Sequence, residues 1–213
     1  MIKYRLQLEE MCWNPEVSMT TFLFSTTAVM LAYYNNIISF SYLLFLMSFI
    51  SMQLIEFFLW INLNDRNLNK LFSALGYALI LSQPLFALLS TSANYPYKQL
   101  LVLGYIAFVI IALAVLPIDY STEVGKNKHL QWNWLNGPLY FGIPWFLFFF
   151  AKFFLTGEFG MLSYTIITVV ASYYSYKATS NTSKPGVWGT MWCWFANGIA
   201  FYYYYLLGAK FIK

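Results

Sequence analysis

The stretch "QLIEFFLW" (residues 53–60) sets one carboxyl group inside a long apolar run. Gln53, Glu56 and Trp60 follow at spacings of three and four, which puts them on one face of a helix. A carboxylate among Leu54, Ile55, Phe57 and Phe58 has little water to solvate it. Groups of this kind face a bundle interior or a water-filled cavity and mark ion or solute paths. No Lys or Arg is expected deep in a neighbouring apolar run to pair with it. Two states then remain open: a neutral carboxyl hydrogen-bonded to Gln, Asn or Trp, or a carboxylate that meets water or a cation. A plain hydrogen-bonded clamp between helices is the simpler use of the same groups.

Two further runs mix thiol, indole and amide groups. "MWCWFANG" places Cys193 between Trp192 and Trp194 with Asn197 one helical turn on, and "MCWNP" holds Cys12, Trp13 and Asn14. Two Cys and one His in the chain are too few for a closed zinc site unless Glu56 or Asp119 joins. A Cys12–Cys193 disulfide would need an oxidising compartment, and two small buried thiols are the simpler expectation. A histidine-rich metal centre, a Ser-His-Asp arrangement and a nucleotide-binding glycine motif all lack the residues they need. Lys210 lies past the last apolar run, so it does not suit a retinal Schiff base. No catalytic residue, metal site or cofactor is assigned.

The elements that must hold these groups follow from composition. Of 213 residues, 60% are hydrophobic and 9% are charged. A soluble domain carries about 25% charged residues, so the chain reads as an integral membrane protein. Its +4 net charge is scattered through short loops, which does not suit nucleic-acid binding. A bilayer core takes about 20 apolar helical residues, and seven runs qualify: 17–34, 37–62, 71–93, 100–118, 139–156, 161–177 and 190–208. The predicted fold is all-α, a polytopic seven-transmembrane-helix bundle forming a single membrane domain over 1–213. "NN" (Asn35, Asn36) marks a tight turn, and "TGEFG" breaks the fifth run from the sixth. The leading "MIKYRLQLEE" alternates apolar and polar residues, an extended pattern or a short interfacial helix, and shows no cleavable signal peptide.

Seven spans put the termini on opposite sides. The N-terminal side, A, then holds Lys3, Arg5, Arg66, Lys70, Lys126, Lys128, Lys177 and Lys184, against Lys98, Lys152, Lys210 and Lys213 on side B. That excess predicts a cytoplasmic N-terminus. "NTS" (Asn181 to Ser183) is a glycosylation acceptor pattern in a side-A loop, so a glycan there would reverse the orientation. All eight Trp fall on side A, whereas interfacial anchoring enriches Trp on both surfaces. They read either as a one-sided aromatic belt or as walls of a cavity open to side A. Pro84, in "SQPL", kinks the third span and frees the carbonyl near Ile80. Gln83 beside it can bond another helix. Pro84 is thus the predicted bend, and Asn14, Gln53, Glu56, Gln83, Trp13, Trp60, Trp192, Trp194 and Asn197 are the predicted lining of a side-A pocket.

The runs "MCWNPEVS", "QLIEFFLW", "SQP", "LQWNW" and "MWCWFAN" resemble a family of uncharacterised seven-helix membrane proteins of large DNA viruses of algae and amoebae and of some microbes. The resemblance covers most of the chain. It implies a small seven-helix fold and no known activity. The matching positions are Cys12, Trp13, Asn14, Gln53, Glu56, Gln83, Pro84, Trp192, Cys193, Trp194 and Asn197, and the family gives none of them a role. From the residues themselves, the expected function is transport or conduction of a small solute or ion, with membrane lipid as the surrounding partner and a cation among the candidate solutes. A non-transporting receptor or lipid-binding scaffold is the alternative, and a lipid-modifying enzyme using Glu56 is the third. Assembly into a homo-oligomer is left open.

Overall fold

The structure is a computed structural model and describes residues 14–91, 97–125, 128–136, 139–179 and 192–211. These residues form seven α-helices: α1 (Pro15–Tyr34), α2 (Phe40–Ile61), α3 (Arg66–Leu89), α4 (Lys98–Val115), α5 (Leu139–Thr156), α6 (Phe159–Thr179) and α7 (Trp192–Phe211). Among the described residues the regular structure is all-helical but for one small element between α4 and α5. Two three-residue strands, β1 (Thr122–Val124) and β2 (Leu130–Trp132), pair antiparallel and lead into a 3-10 turn at Asn133–Asn136. Three-residue strands are too short for an alternation that would announce this hairpin.

Local chemistry sets the helix ends. Asn14 caps α1, its Oδ1 accepting from Val17 N at 2.8 Å, with Pro15 at the first helical position. Asp65 caps α3 by accepting from Asn67 N at 2.9 Å and Leu68 N at 3.0 Å. That cap starts α3 at Arg66, earlier than hydropathy alone suggests. At the "NN" turn, Asn36 takes the left-handed conformation, φ 56°. Asn36 N bonds Tyr33 O and Ile37 N bonds Ala32 O, both at 2.9 Å, which is a Schellman termination of α1. Gly157, φ 70°, ends α5 in the same left-handed conformation, with Glu158 N on Phe153 O at 3.2 Å.

Two ends of the bundle can be named from contacts. End A holds the cap of α1, the α2–α3 connection and the hairpin. End B holds the α1–α2 turn, the start of α4, the α5–α6 turn and the end of α7, where Lys210 Nζ bonds Asn35 O.

The core has two parts. One joins α1, α2, α5 and α7 through Phe45, Phe49, Phe149, Phe153, Phe195 and Ile199. The other lies where the hairpin packs on α2 and α3, through Met52, Leu59, Tyr77, Trp132 and Trp134. Asn69 fixes the hairpin there, donating to Thr122 O at 2.8 Å and accepting from Thr122 N at 3.0 Å. Gly76 is needed beneath it, since a Cβ at that position would run into the Trp132 ring.

Among the described residues, α1, α2, α3 and α4 are each long and apolar enough to cross a membrane. On α4 only Tyr105 and Ala112 are buried, and Leu100, Leu103, Ile110, Ile111 and Val115 stand exposed. An apolar surface this continuous suits lipid rather than water, which supports a membrane location.

Candidate functional site along α2

One stripe of α2 organises the site. Tyr42, Phe45, Phe49, Gln53, Glu56 and Trp60 recur at spacings of three and four, so they form a continuous face. The face begins at end B and reaches end A. Phe49 packs on Phe149 and Phe195, with ring centroids 5.4 and 5.8 Å apart. The stripe therefore looks into the bundle, toward α5 and α7.

At end A, Gln53 Nε2 donates to Glu56 Oε2 at 2.9 Å. Both side chains are buried, Glu56 with 1% of its surface exposed. Gln53 Oε1, Glu56 Oε1 and the Trp60 indole N–H have no hydrogen-bond partner among the described residues. Buried polar atoms are rarely left this way. This pair matches the expectation of a carboxyl held by an amide, and it leaves two acceptor oxygens and one donor for something else.

The remaining expected residues are spread more widely. Gln83 donates through Nε2 to Ser48 O at 3.2 Å, tying α3 to the middle of α2. Pro84 does free the Ile80 carbonyl, and Trp145 supplies the partner, its indole N–H reaching Ile80 O at 2.8 Å. Asn197 faces α1 and bonds Thr21 Oγ1 at 3.4 Å, beside a bond from Ser25 Oγ to Ala196 O at 2.8 Å. Asn14 is engaged in capping. Trp132 and Trp134 are buried beneath the hairpin and pack edge to face at 5.1 Å. Trp13, Cys12, Trp188 and the "NTS" pattern lie outside the described residues. Trp192, Cys193 and Trp194 form the first turn of α7, and their side chains are outside the description too. No set of three or more His, Cys, Asp or Glu is grouped to hold a metal ion among the described residues.

Sequence reasoning missed a second polar centre at end B. Lys152 is not a surface charge. Its side chain is 0% exposed, and Nζ donates to Glu158 Oε2 at 2.7 Å. Tyr42 donates its hydroxyl to the same oxygen at 3.0 Å, with Tyr203 of α7 close by. The ammonium sits 4.3 Å from the Tyr42 ring centre, 5.5 Å from Phe45 and 5.3 Å from Phe153, a cation–π cage. The expectation that no lysine is deep in the bundle is therefore corrected, although Lys152 serves Glu158 and not Glu56. The Gly157 termination explains the pairing, because it folds Glu158 back over the last turn of α5. A lysine inside "FFFAKFFLTGE" was the available signal.

Between the two centres lies a cleft of about 10 Å³, roughly the space of one water. Phe45, Phe49, Phe149, Phe153 and Phe195 wall it, with Tyr164 and Thr165 of α6 on one side. From Tyr42 to Glu56 the helix axis rises about 21 Å at 1.5 Å per residue. The arrangement is a polar centre, an aromatic constriction and a second polar centre along one helix face. Comparison with known protein families, curated proteins and solved structures found no match to this chain.

Proposed function

We propose that all seven helices cross the bilayer, with end A cytoplasmic, and that the protein transports or conducts a small solute or ion. The observation that carries this reading is the Gln53–Glu56 pair, buried in an apolar bundle with two oxygens unpartnered. A purely structural clamp would satisfy its own acceptors, because an unmatched buried polar group costs about 1–3 kcal/mol. Polar residues retained at such cost inside a membrane bundle mark paths for ions and solutes. The aromatic constriction supports the same reading, since it closes the stripe between its two polar ends. The exposed apolar face of α4 then rests in lipid.

The test is flux in proteoliposomes. Wild-type protein is expected to move Na⁺, K⁺ or a small neutral solute faster than protein-free vesicles do. Glu56→Gln is expected to abolish that excess. Unchanged flux in Glu56→Gln would remove Glu56 from the path.

A further inference from the structure

The α5–α6 turn is joined to α2 through one carboxylate. Gly157 takes the left-handed conformation in that turn, and Phe159, which opens α6, stands exposed. Glu158 lies between them and reaches the bundle. Its Oε2 accepts from Lys152 Nζ at 2.7 Å and from the Tyr42 hydroxyl at 3.0 Å. A single oxygen thus links the turn to α5 and to α2. The two ends of the ion pair differ in their access to water. The Glu158 side chain is 33% exposed, whereas that of Lys152 is 0% exposed and caged by the Tyr42, Phe45 and Phe153 rings. Water at end B can therefore protonate the acid without first reaching the lysine.

We infer that Glu158 is an acid-released latch: ionised, it holds the α5–α6 turn against α2, and protonated, it lets the turn go. The inference goes beyond the transport reading and does not depend on it, since a latch needs no flux. Protonation turns two charge-assisted hydrogen bonds on Oε2 into weaker neutral ones. It also leaves the Lys152 ammonium in an apolar cage without its counter-ion, and an unpaired buried charge is costly. The three rings offset only part of that cost. The ammonium gains by meeting water, and it does so when the turn moves off α2. The closed turn is accordingly favoured while Glu158 is ionised and is lost as pH falls. The groups facing Glu158 are Lys152 of α5, Tyr42 of α2 and, beside Tyr42, Tyr203 of α7. Tyr164, the first titratable side chain of α6, lines the cleft instead. Of the other end-B lysines, Lys98 is engaged by Leu89 O and Thr91 O, and Lys210 by Asn35 O. A phenol is already neutral and an ammonium already protonated at pH 7, so within this cluster acid acts through the carboxylate.

The experiment measures the distance between α2 and the start of α6 at end B. Nitroxide labels are placed by Phe40→Cys and Phe159→Cys, both at exposed positions, in the full chain carrying Cys12→Ala and Cys193→Ala. Double electron–electron resonance in liposomes then compares pH 7 with pH 4. The expected result is a narrow distribution at pH 7 and a longer, broader one at pH 4 that reverts on neutralisation. Tyr42→Phe removes one of the two bonds and is expected to open at a higher pH. The double variant Lys152→Met/Glu158→Gln has neither the acid nor the stranded ammonium, and its distribution is expected to be the same at both pH values. An unchanged distribution at pH 4 in the chain that keeps Lys152 and Glu158 would overturn the inference, whatever the variants do. An equal acid shift in the double variant would overturn it too, because another group would then be sensing the proton. Opening of Tyr42→Phe at the unaltered pH would show that Glu158 does not hold α2, with the same consequence.

Discussion

The two polar centres on α2 meet the same problem in opposite ways. Each puts a carboxyl group near the apolar interior of a helical bundle. At end B the charge is answered: Glu158 receives an ammonium and a phenol hydroxyl on one oxygen, and three aromatic rings surround the ammonium. At end A the carboxyl is answered only by an amide one turn away on its own helix. End B is self-sufficient and ties α2 to α5 through Glu158. End A is incomplete and contributes no tie that its single bond could explain. The difference assigns stability chiefly to one centre and function chiefly to the other, and variants can separate the two.

The largest effect is expected where the ion pair is broken from the side that strands the buried charge. Glu158→Gln leaves Lys152 fully buried without its counter-ion, and such breaks cost about 3–5 kcal/mol. Lys152→Met leaves Glu158, which already reaches water, so its cost is expected to be smaller. The double variant should recover part of the loss, as paired replacements of buried ions do. Thermal unfolding in detergent of the two single variants and the double gives the order. A Lys152→Met protein less stable than Glu158→Gln would contradict the burial asymmetry.

Next comes the Ile80 carbonyl that Pro84 frees within α3, which belongs to neither centre. Trp145→Phe removes the donor to Ile80 O, and an orphaned buried carbonyl costs about 1–3 kcal/mol. Pro84→Ala restores the N–H that the carbonyl would otherwise bond. The cost of Trp145→Phe should therefore shrink in a Pro84→Ala background, a coupling that a double-mutant cycle measures. Additive costs would show that Trp145 acts by packing alone.

These elements also show how far the residues could be read without coordinates. The helix order, the "NN" turn, the break at Gly157, the Ile80 carbonyl freed by Pro84 and the Gln53–Glu56 face were all legible, because period and breaker residues are local signals. Lys152 was not. Hydropathy near a predicted helix end assigns a lysine to water, and only the Gly157 turn, a three-dimensional event, brings Glu158 back to cover it. The hairpin escaped for a related reason. Three-residue strands carry almost no period, and their stability comes from Asn69 and Gly76, which are distant in sequence. Grouping the tryptophans on one side did not reveal their roles, since Trp132 and Trp145 serve packing and a backbone carbonyl.

A smaller effect tests how Glu158 is positioned. Gly157→Ala puts a Cβ on a left-handed residue that meets no neighbour within 4 Å, so the cost is conformational, about 1–2 kcal/mol. If the turn also aims Glu158 at Lys152, the same substitution should cost less in the Lys152→Met background. Equal costs in both backgrounds would confine Gly157 to ending the helix.

The smallest expected effect on stability is at the centre assigned to function. In Glu56→Gln the new amide keeps an oxygen to accept from Gln53 Nε2, and the side-chain volume is nearly unchanged. If Glu56 is held by that amide alone, the substitution should move stability by no more than the roughly 0.5 kcal/mol typical of innocuous changes. Unfolding curves of Glu56→Gln and Glu158→Gln, measured side by side, then make the contrast quantitative. A destabilisation at Glu56 as large as at Glu158 would mean that an opposite charge holds this carboxyl too, and the distinction between the two ends would collapse. A stable Glu56→Gln protein that no longer supports flux would place the chemistry at end A, since the fold would have lost nothing but an ionisable group.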